Sequence, residues 1–227
     1  DLSDYRFGSF AEYITVPEKA LTRFSETLSY EQAATIPHAG LLAFQGLLKA
    51  GSIKGKKVLI NGAGGGVGAF AVALARYWGA SEIIGVDTAE KSEWLKSRGF
   101  DRTIDYKKVD ITKLRGEFDI VLDCKSQKTA RHYLRPLRKG GAYISTGGKS
   151  WPLLTMFFTG RWLRLFSGKR VEILALKSNK DLEKLTSILM SIQFEHPVDG
   201  PHMLEDVPKQ VYRFGHGLHQ GKIVLRP

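Results

Sequence analysis

Five glycines fall within the seven residues Gly62–Gly68 (GAGGGVG), between the apolar run Lys57–Asn61 and the alanine-rich segment Ala69–Trp78. Bare backbone N–H groups at this density let a bulky anion approach where any Cβ would collide with it. A helix beginning near Gly66 turns its positive end to the same point, so these residues suit capture of a diphosphate. Asp87 closes a second apolar run, Glu82–Val86, about twenty residues beyond the turn, where a carboxylate accepts hydrogen bonds from a ribose. Strand, glycine turn, helix, strand and terminal acid make the βαβ unit of a dinucleotide-binding fold. No strict G-x-G-x-x-G is present. Two registers nearly fit: Gly64, Gly66 and Ala69, or Ala63, Gly65 and Gly68 with alanine in the first slot. A P-loop is excluded, because no Gly-Lys-Ser/Thr closes the cluster.

Other residues capable of chemistry are sparse. His216 and His219 lie three apart in FGHGLHQ, and His196 and His202 are isolated. No carboxylate or cysteine cluster accompanies them, so they read as surface histidines. Cys124 is the single cysteine and reads as a small core residue at a strand end. One cysteine allows no internal disulfide, excludes a four-cysteine zinc lobe within this chain, and fits the cytoplasm or another reducing compartment. The first residues, DLSDYRFGSF, are neither basic nor apolar and do not form a signal peptide, which leaves a lost targeting segment open.

The elements that must position the glycine turn follow from periodicity. Gly8–Pro17 alternates apolar and polar as a half-buried strand does, and Ala20–Phe24 reads as a second. Residues 29–50 read as helix, capped by Ser29 and interrupted at Pro37. After the central βαβ come a helix over Lys91–Arg98 ended by Gly99 and a strand at Thr103–Tyr106. A strand at Phe118–Asp123, a helix over Gln127–Leu137 closed by Gly140, and a strand at Ala142–Thr146 follow. A sixth strand, Val171–Leu176, a helix over Asp181–Gln193, a helix over Val207–Phe214 and a strand over Lys222–Leu225 complete the chain. This alternation predicts an α/β fold with a doubly wound parallel sheet.

Hydrophobic residues make up 43% of the 227, ordinary for a globular core, and the formal net charge is +11. Lys and Arg are spread along the chain without a long basic block, so neither a nucleic-acid nor a membrane partner is expected. Trp151–Phe166 (WPLLTMFFTGRWLRLF) is too short to span a bilayer. It admits four readings: a helix packed on its own domain, a substrate-pocket lid, a dimer surface or an interfacial membrane helix.

The order GSFAEYITVPE, LSYEQAATIPHAGLLAFQGL, VLINGAGGGVGAFAVALAR, IDY, FDIVLDC and GKIVL resembles the medium-chain dehydrogenase/reductases, nearest the zinc-independent, quinone-oxidoreductase-like branch. The resemblance runs over essentially the whole chain. It implies a Rossmann domain over 26–195, with 1–25 and 196–227 as the two ends of a GroES-like β domain. About the first hundred residues of such a protein are then lacking, and this chain alone is expected to be impaired in turnover.

On this resemblance, Ala63, Gly65, Gly66, Val67 and Gly68 form the pyrophosphate turn. Asp87, Thr88 and Lys91 flank the adenosine end with Tyr106 nearby, while Thr146, Gly147, Leu174 and Ala175 line the nicotinamide side. The branch implies NADPH, whereas Asp87 and Glu90 would repel a 2′-phosphate and lean to NADH. Relatives often carry threonine where this chain has Leu42, and a glycine where it has Lys125. His38 stands where zinc-containing relatives place a metal-binding cysteine. It is a candidate to donate a hydrogen bond or proton to substrate, and no metal site is expected.

The implied activity is hydride transfer from NAD(P)H to a quinone or an activated C=C or carbonyl compound, without zinc. Relatives dimerise through the Rossmann sheet edge, which implies a homodimer here through Val171–Leu176. The reading from another class is a dinucleotide-binding module without turnover, serving protein or RNA interaction.

Overall fold

The computed structural model describes residues 9–227. Residues 9–17 form no strand, and neither do Ala20–Phe24; Gly8 lies outside the described residues. Phe10, Tyr13 and Ile14 are exposed, so the alternating pattern finds no apolar face to bury against among the described residues. A strand without a neighbour has nothing to bond its backbone.

Helix α1 (Tyr30–Thr35) opens on a capping box: Gln32 N–H donates to Ser29 Oγ at 3.2 Å and Ser29 N–H to Gln32 Oε1 at 2.9 Å. Pro37 interrupts the expected helix by converting Ile36–Gly40 into a π-helical turn, after which α2 (Leu41–Ala50) continues. Strand β1 (Lys57–Asn61), helix α3 (Gly66–Tyr77) and strand β2 (Glu82–Asp87) form the central βαβ. Next come α4 (Ser92–Ser97), β3 (Arg102–Asp105) and β4 (Phe118–Asp123).

The helix expected over Gln127–Leu137 shrinks to α5 (Ala130–Tyr133), because β5 begins at Leu137 and runs to Ser145. Leu137 pairs with Phe118, and the register then slips before Ala142 pairs with Ile120. Gly140 therefore sits in a strand irregularity and closes no helix.

Helix α6 (Ser150–Ser167) and β6 (Arg170–Ile173) follow, then α7 (Leu182–Ser191). Strand β7 (Val198–Met203) is unexpected, since Gly200 and Pro201 argue against a strand. It survives because its sheet has only two strands, β7 and β8 (Lys222–Arg226), joined through α8 (Val207–Gly215), so both are edges.

The main sheet is six-stranded and parallel, in the order β3-β2-β1-β4-β5-β6. Val58 and Ile60 of β1 face one apolar cluster with Phe44, Phe70 and Leu185, while Leu59 faces another with Ile84, Val121 and Tyr143. Alternate residues of one strand thus feed cores on both faces, and the parallel pairing places the carboxyl ends of β1, β2 and β4 at one rim. The order reverses beside β1, and that reversal opens the crevice where ligands of such sheets bind.

Candidate functional site

The glycine turn joins β1 to α3 at this rim. Gly62 takes φ of +79°, which turns the chain sharply out of the strand, and its N–H and that of Ala63 both donate to Val86 O. Gly68 is needed for contact: a Cβ there would lie 2.2 Å from Ala63 O, so helix and strand approach only without one. At Gly65 the same atom would make only ordinary contacts, with Gly62 O at 3.7 Å and His219 Nε2 at 3.8 Å. Gly65 occupies the N-cap with no side-chain cap, so the first-turn N–H groups of Gly66, Val67 and Gly68 remain available to an anion. These observations favour the register through Ala63, Gly65 and Gly68.

Asp87, at the end of β2, is already engaged. One of its oxygens accepts from Gly64 N–H at 2.8 Å, the other from Thr88 N–H at 2.9 Å, and Lys91 Nζ lies 3.6 Å away. Lys91 is buried, and the loss of hydration pushes its pKa down while Asp87 pushes it back up. Glu90 pairs with Lys107 at 3.4 Å. Hydrogen bonds from its own backbone and from Thr88, aided by Lys107, hold its carboxyl at about 2.

Asp87, Thr88, Glu90, Lys91 and Tyr106 all line one cavity of about 640 Å³, which extends to Lys125, Lys128 and Asp110. Lys128 pairs with Asp110 at 2.8 Å, which leaves Lys125 as the cation of this wall without an ion-pair partner among the described residues. Both carboxylates expected to repel a 2′-phosphate are thus neutralised by adjacent lysines, which weakens the electrostatic case for NADH. Lys125 is exposed and also lines the cavity.

The residues expected on the nicotinamide side lie at the ends of β5 and β6. Thr146 N–H donates to Asp123 O and Leu174 N–H to Ser145 O, while the Thr146 methyl and Leu174 pack towards Gly46 of α2. Gly147 has open space where a side chain would stand, and Ala175 is exposed. Beneath them Asp123 is fully buried; it accepts from Tyr143 Oη at 2.6 Å, Asn61 Nδ2 at 2.7 Å and Lys125 N–H at 3.0 Å. His38 is partly exposed in the π-helical turn; loss of hydration around its ring lowers its pKa, and the Lys222 ammonium lowers it further. His38, Thr146, Gly147, Leu174 and Ala175 stand apart from the cavity that gathers Asp87, Thr88, Lys91 and Tyr106.

The sequence reading missed the C-terminal segment at this site. Gly221 N–H donates to Gly64 O at 3.0 Å, and Gly65 and Gly221 form a bridge, so residues 216–222 lie across the glycine turn. His219, expected on the surface, is only 9% exposed and stacks on Phe214; its Nε2 stands 3.8 Å from where a Gly65 Cβ would be. Its Nδ1 is buried without a hydrogen-bond partner. Burial first, and Lys91 second, lower its pKa. His196 is also half-buried, bonded to Thr35 Oγ1 at 3.1 Å, and His202 pairs with Asp199 at 2.9 Å, whereas His216 is exposed as expected. Cys124 has its thiol pushed up to about 12 by burial, which makes it inert at neutral pH.

These residues fit a dinucleotide: the uncapped helix N-terminus follows a glycine turn whose Gly62 lines the same cavity as Asp87 and the unpaired Lys125. For a metal, no group of three or more His, Cys, Asp or Glu gathers among the described residues.

Residues 66–188 match the family model described as zinc-binding dehydrogenase. The chain is 32% identical over 225 residues to the 2-methylene-furan-3-one reductase of Solanum lycopersicum, covering 98% of this chain and 53% of that protein. It is 33% identical over 148 residues to the chloroplastic NADPH-dependent alkenal/one oxidoreductase of Arabidopsis thaliana, covering 65% of this chain and 38% of that one. The solved structure of an NAD-dependent alcohol dehydrogenase superposes with a TM-score of 0.80 at 25% identity, covering 98% of this chain and 66% of that one. This chain therefore spans about half the length, or less, of these two curated relatives. On the family match, the parallel sheet and the glycine crevice together, the chain belongs to the zinc-binding dehydrogenase family of medium-chain dehydrogenase/reductases.

Proposed function

We propose that this chain is the dinucleotide-binding part of an NAD(P)H-dependent reductase acting on an activated C=C, a carbonyl or a quinone. The observation that carries the proposal is the glycine turn at the uncapped start of α3, with Gly62 lining the same cavity as Asp87, Lys91 and the unpaired Lys125. The names of the tomato and Arabidopsis relatives support an enone-type acceptor, and the resemblance to the quinone-oxidoreductase-like branch supports the quinone. In this reading 26–195 forms the Rossmann domain, and 1–25 and 196–227 belong to a β domain.

The bound nicotinamide would supply the hydride. Gly66, Val67 and Gly68 would hold the diphosphate through their N–H groups, with His219 Nε2 beside Gly65. Asp87, Thr88, Lys91 and Tyr106 would frame the adenosine end, where Lys125 favours an added 2′-phosphate. Thr146, Gly147, Leu174 and Ala175 would bound the nicotinamide end, with Leu42 excluding water. His38, neutral at pH 7 by its lowered pKa, would donate a hydrogen bond to the oxygen on which charge develops. Zinc takes no part in this mechanism. A homodimer would form through the exposed edge of β6.

Oxidation of NADPH and NADH by an enone and by a quinone, followed at the nicotinamide absorbance, tests the activity. Turnover that falls about tenfold or more in His38→Ala, with dinucleotide affinity unchanged, is the expected result. Tight dinucleotide binding without oxidation by any acceptor would favour a binding module without turnover.

A further inference from the structure

The outward face of α6 is apolar. Trp151, Leu154, Phe157, Phe158, Trp162 and Leu165 are all at least half exposed, with Phe157 at 78%, and Phe166 beyond them at 80%. The inward row is Pro152, Met156 and Gly160, with Leu163 partly buried, so the helix is apolar on both sides. A helix apolar all round needs a second cover. Its length of about 27 Å and its two arginines do not suit a span, and no helix here is long and apolar enough to cross a membrane.

The charge around it identifies the cover. From Cys124 to Val171 the chain carries eleven Lys or Arg and no Asp or Glu, while the remainder carries 23 of each sign. The whole excess of +11 therefore resides in the stretch that makes α5, β5 and α6, although the basic residues by themselves are spread along the chain. Arg131 of α5, which packs against α6, is exposed, and so are Arg135, Lys149 and Arg164. None of the four has an ion-pair partner among the described residues. The carboxylates that reach this region, Asp110, Asp119 and Glu172, are already paired with Lys128, Arg138 and Lys49.

A second copy docking on this face would bring unpaired cations against their own images with no acid to relieve them. An anionic surface relieves them all. Leucine and phenylalanine in the exposed row suit acyl chains, and tryptophan near either end suits the headgroup boundary.

We propose that α6 docks in the plane of an anionic phospholipid bilayer, its Trp, Phe and Leu side chains entering the headgroup boundary and the surrounding Lys and Arg facing lipid phosphates. This departs from the expectation of no membrane partner. It is independent of what the glycine crevice binds.

The test is flotation of the purified chain with vesicles of phosphatidylcholine alone and of phosphatidylcholine with phosphatidylserine. Binding to the anionic vesicles only, weakened by salt and accompanied by a blue shift of tryptophan emission, is expected. Arg164→Gln and Lys149→Gln should each lower partitioning about fivefold. Phe157→Glu combined with Phe158→Glu should abolish it, with circular dichroism unchanged. Absence of binding to anionic vesicles at low salt would overturn the proposal, and so would undiminished binding by the double Phe variant. Dimers in sedimentation that the double Phe variant converts to monomers would assign the face to a second copy instead. Displacement from the vesicles by a single-stranded oligonucleotide bound more tightly would assign it to nucleic acid.

Discussion

At the scale of single residues, the site depends on side chains that are absent and on charges that are matched. Gly68→Ala pushes a Cβ into Ala63 O, which would lie 2.2 Å away, and should cost about 2 kcal/mol or more of stability, read from the urea midpoint. Lys91→Met strips the cation from half-buried Asp87 and should cost about 2 kcal/mol, less than a fully orphaned charge because two backbone N–H groups still bond it. His196 and His219 have lowered pKa values through burial, with neighbouring cations adding to it. Each is then the better base in the unfolded chain, so unfolding takes up protons below about pH 6.5 and stability falls as the pH drops. The urea midpoint should decline between about pH 7.5 and 5.5, and His219→Gln should flatten that decline; an unchanged slope would assign it to other groups.

At the scale of elements, what the sequence made legible was whatever a period or a cap encodes locally. β1, α3, β2 and β4 appear where their apolar runs and the glycine turn put them, and Ser29 caps as its spacing with Gln32 required. Ser29→Ala should cost about 1 kcal/mol with dinucleotide binding unaffected, measured by thermal melting and titration. What escaped was decided by partners distant in sequence. Leu137 belongs to a strand because Phe118 is beside it, β7 exists because β8 pairs with it despite Pro201, and His219 is buried because Gly221 bonds Gly64. No local pattern encodes those contacts. That Asp87, Thr88, Lys91 and Tyr106 lie together was readable from the motif and its terminal acid, but the pairing of Asp87 with Lys91 required the fold. At the β6 edge, Ile173→Lys should dissociate the proposed dimer, and an unchanged sedimentation profile would count against it.

At the scale of the whole molecule, the parallel sheet sets one rim for binding, and the C-terminal β7–α8–β8 unit folds back across that rim. The uneven charge gives the molecule a second direction, an aromatic basic face on α6. The central claim is that the glycine crevice binds a dinucleotide, and paired fluorescence titrations with NADH and NADPH test it most directly. Saturable binding of at least one is predicted, lost in Gly68→Val, with Lys125→Ala weakening NADPH more than NADH. A folded chain that binds neither would contradict the account.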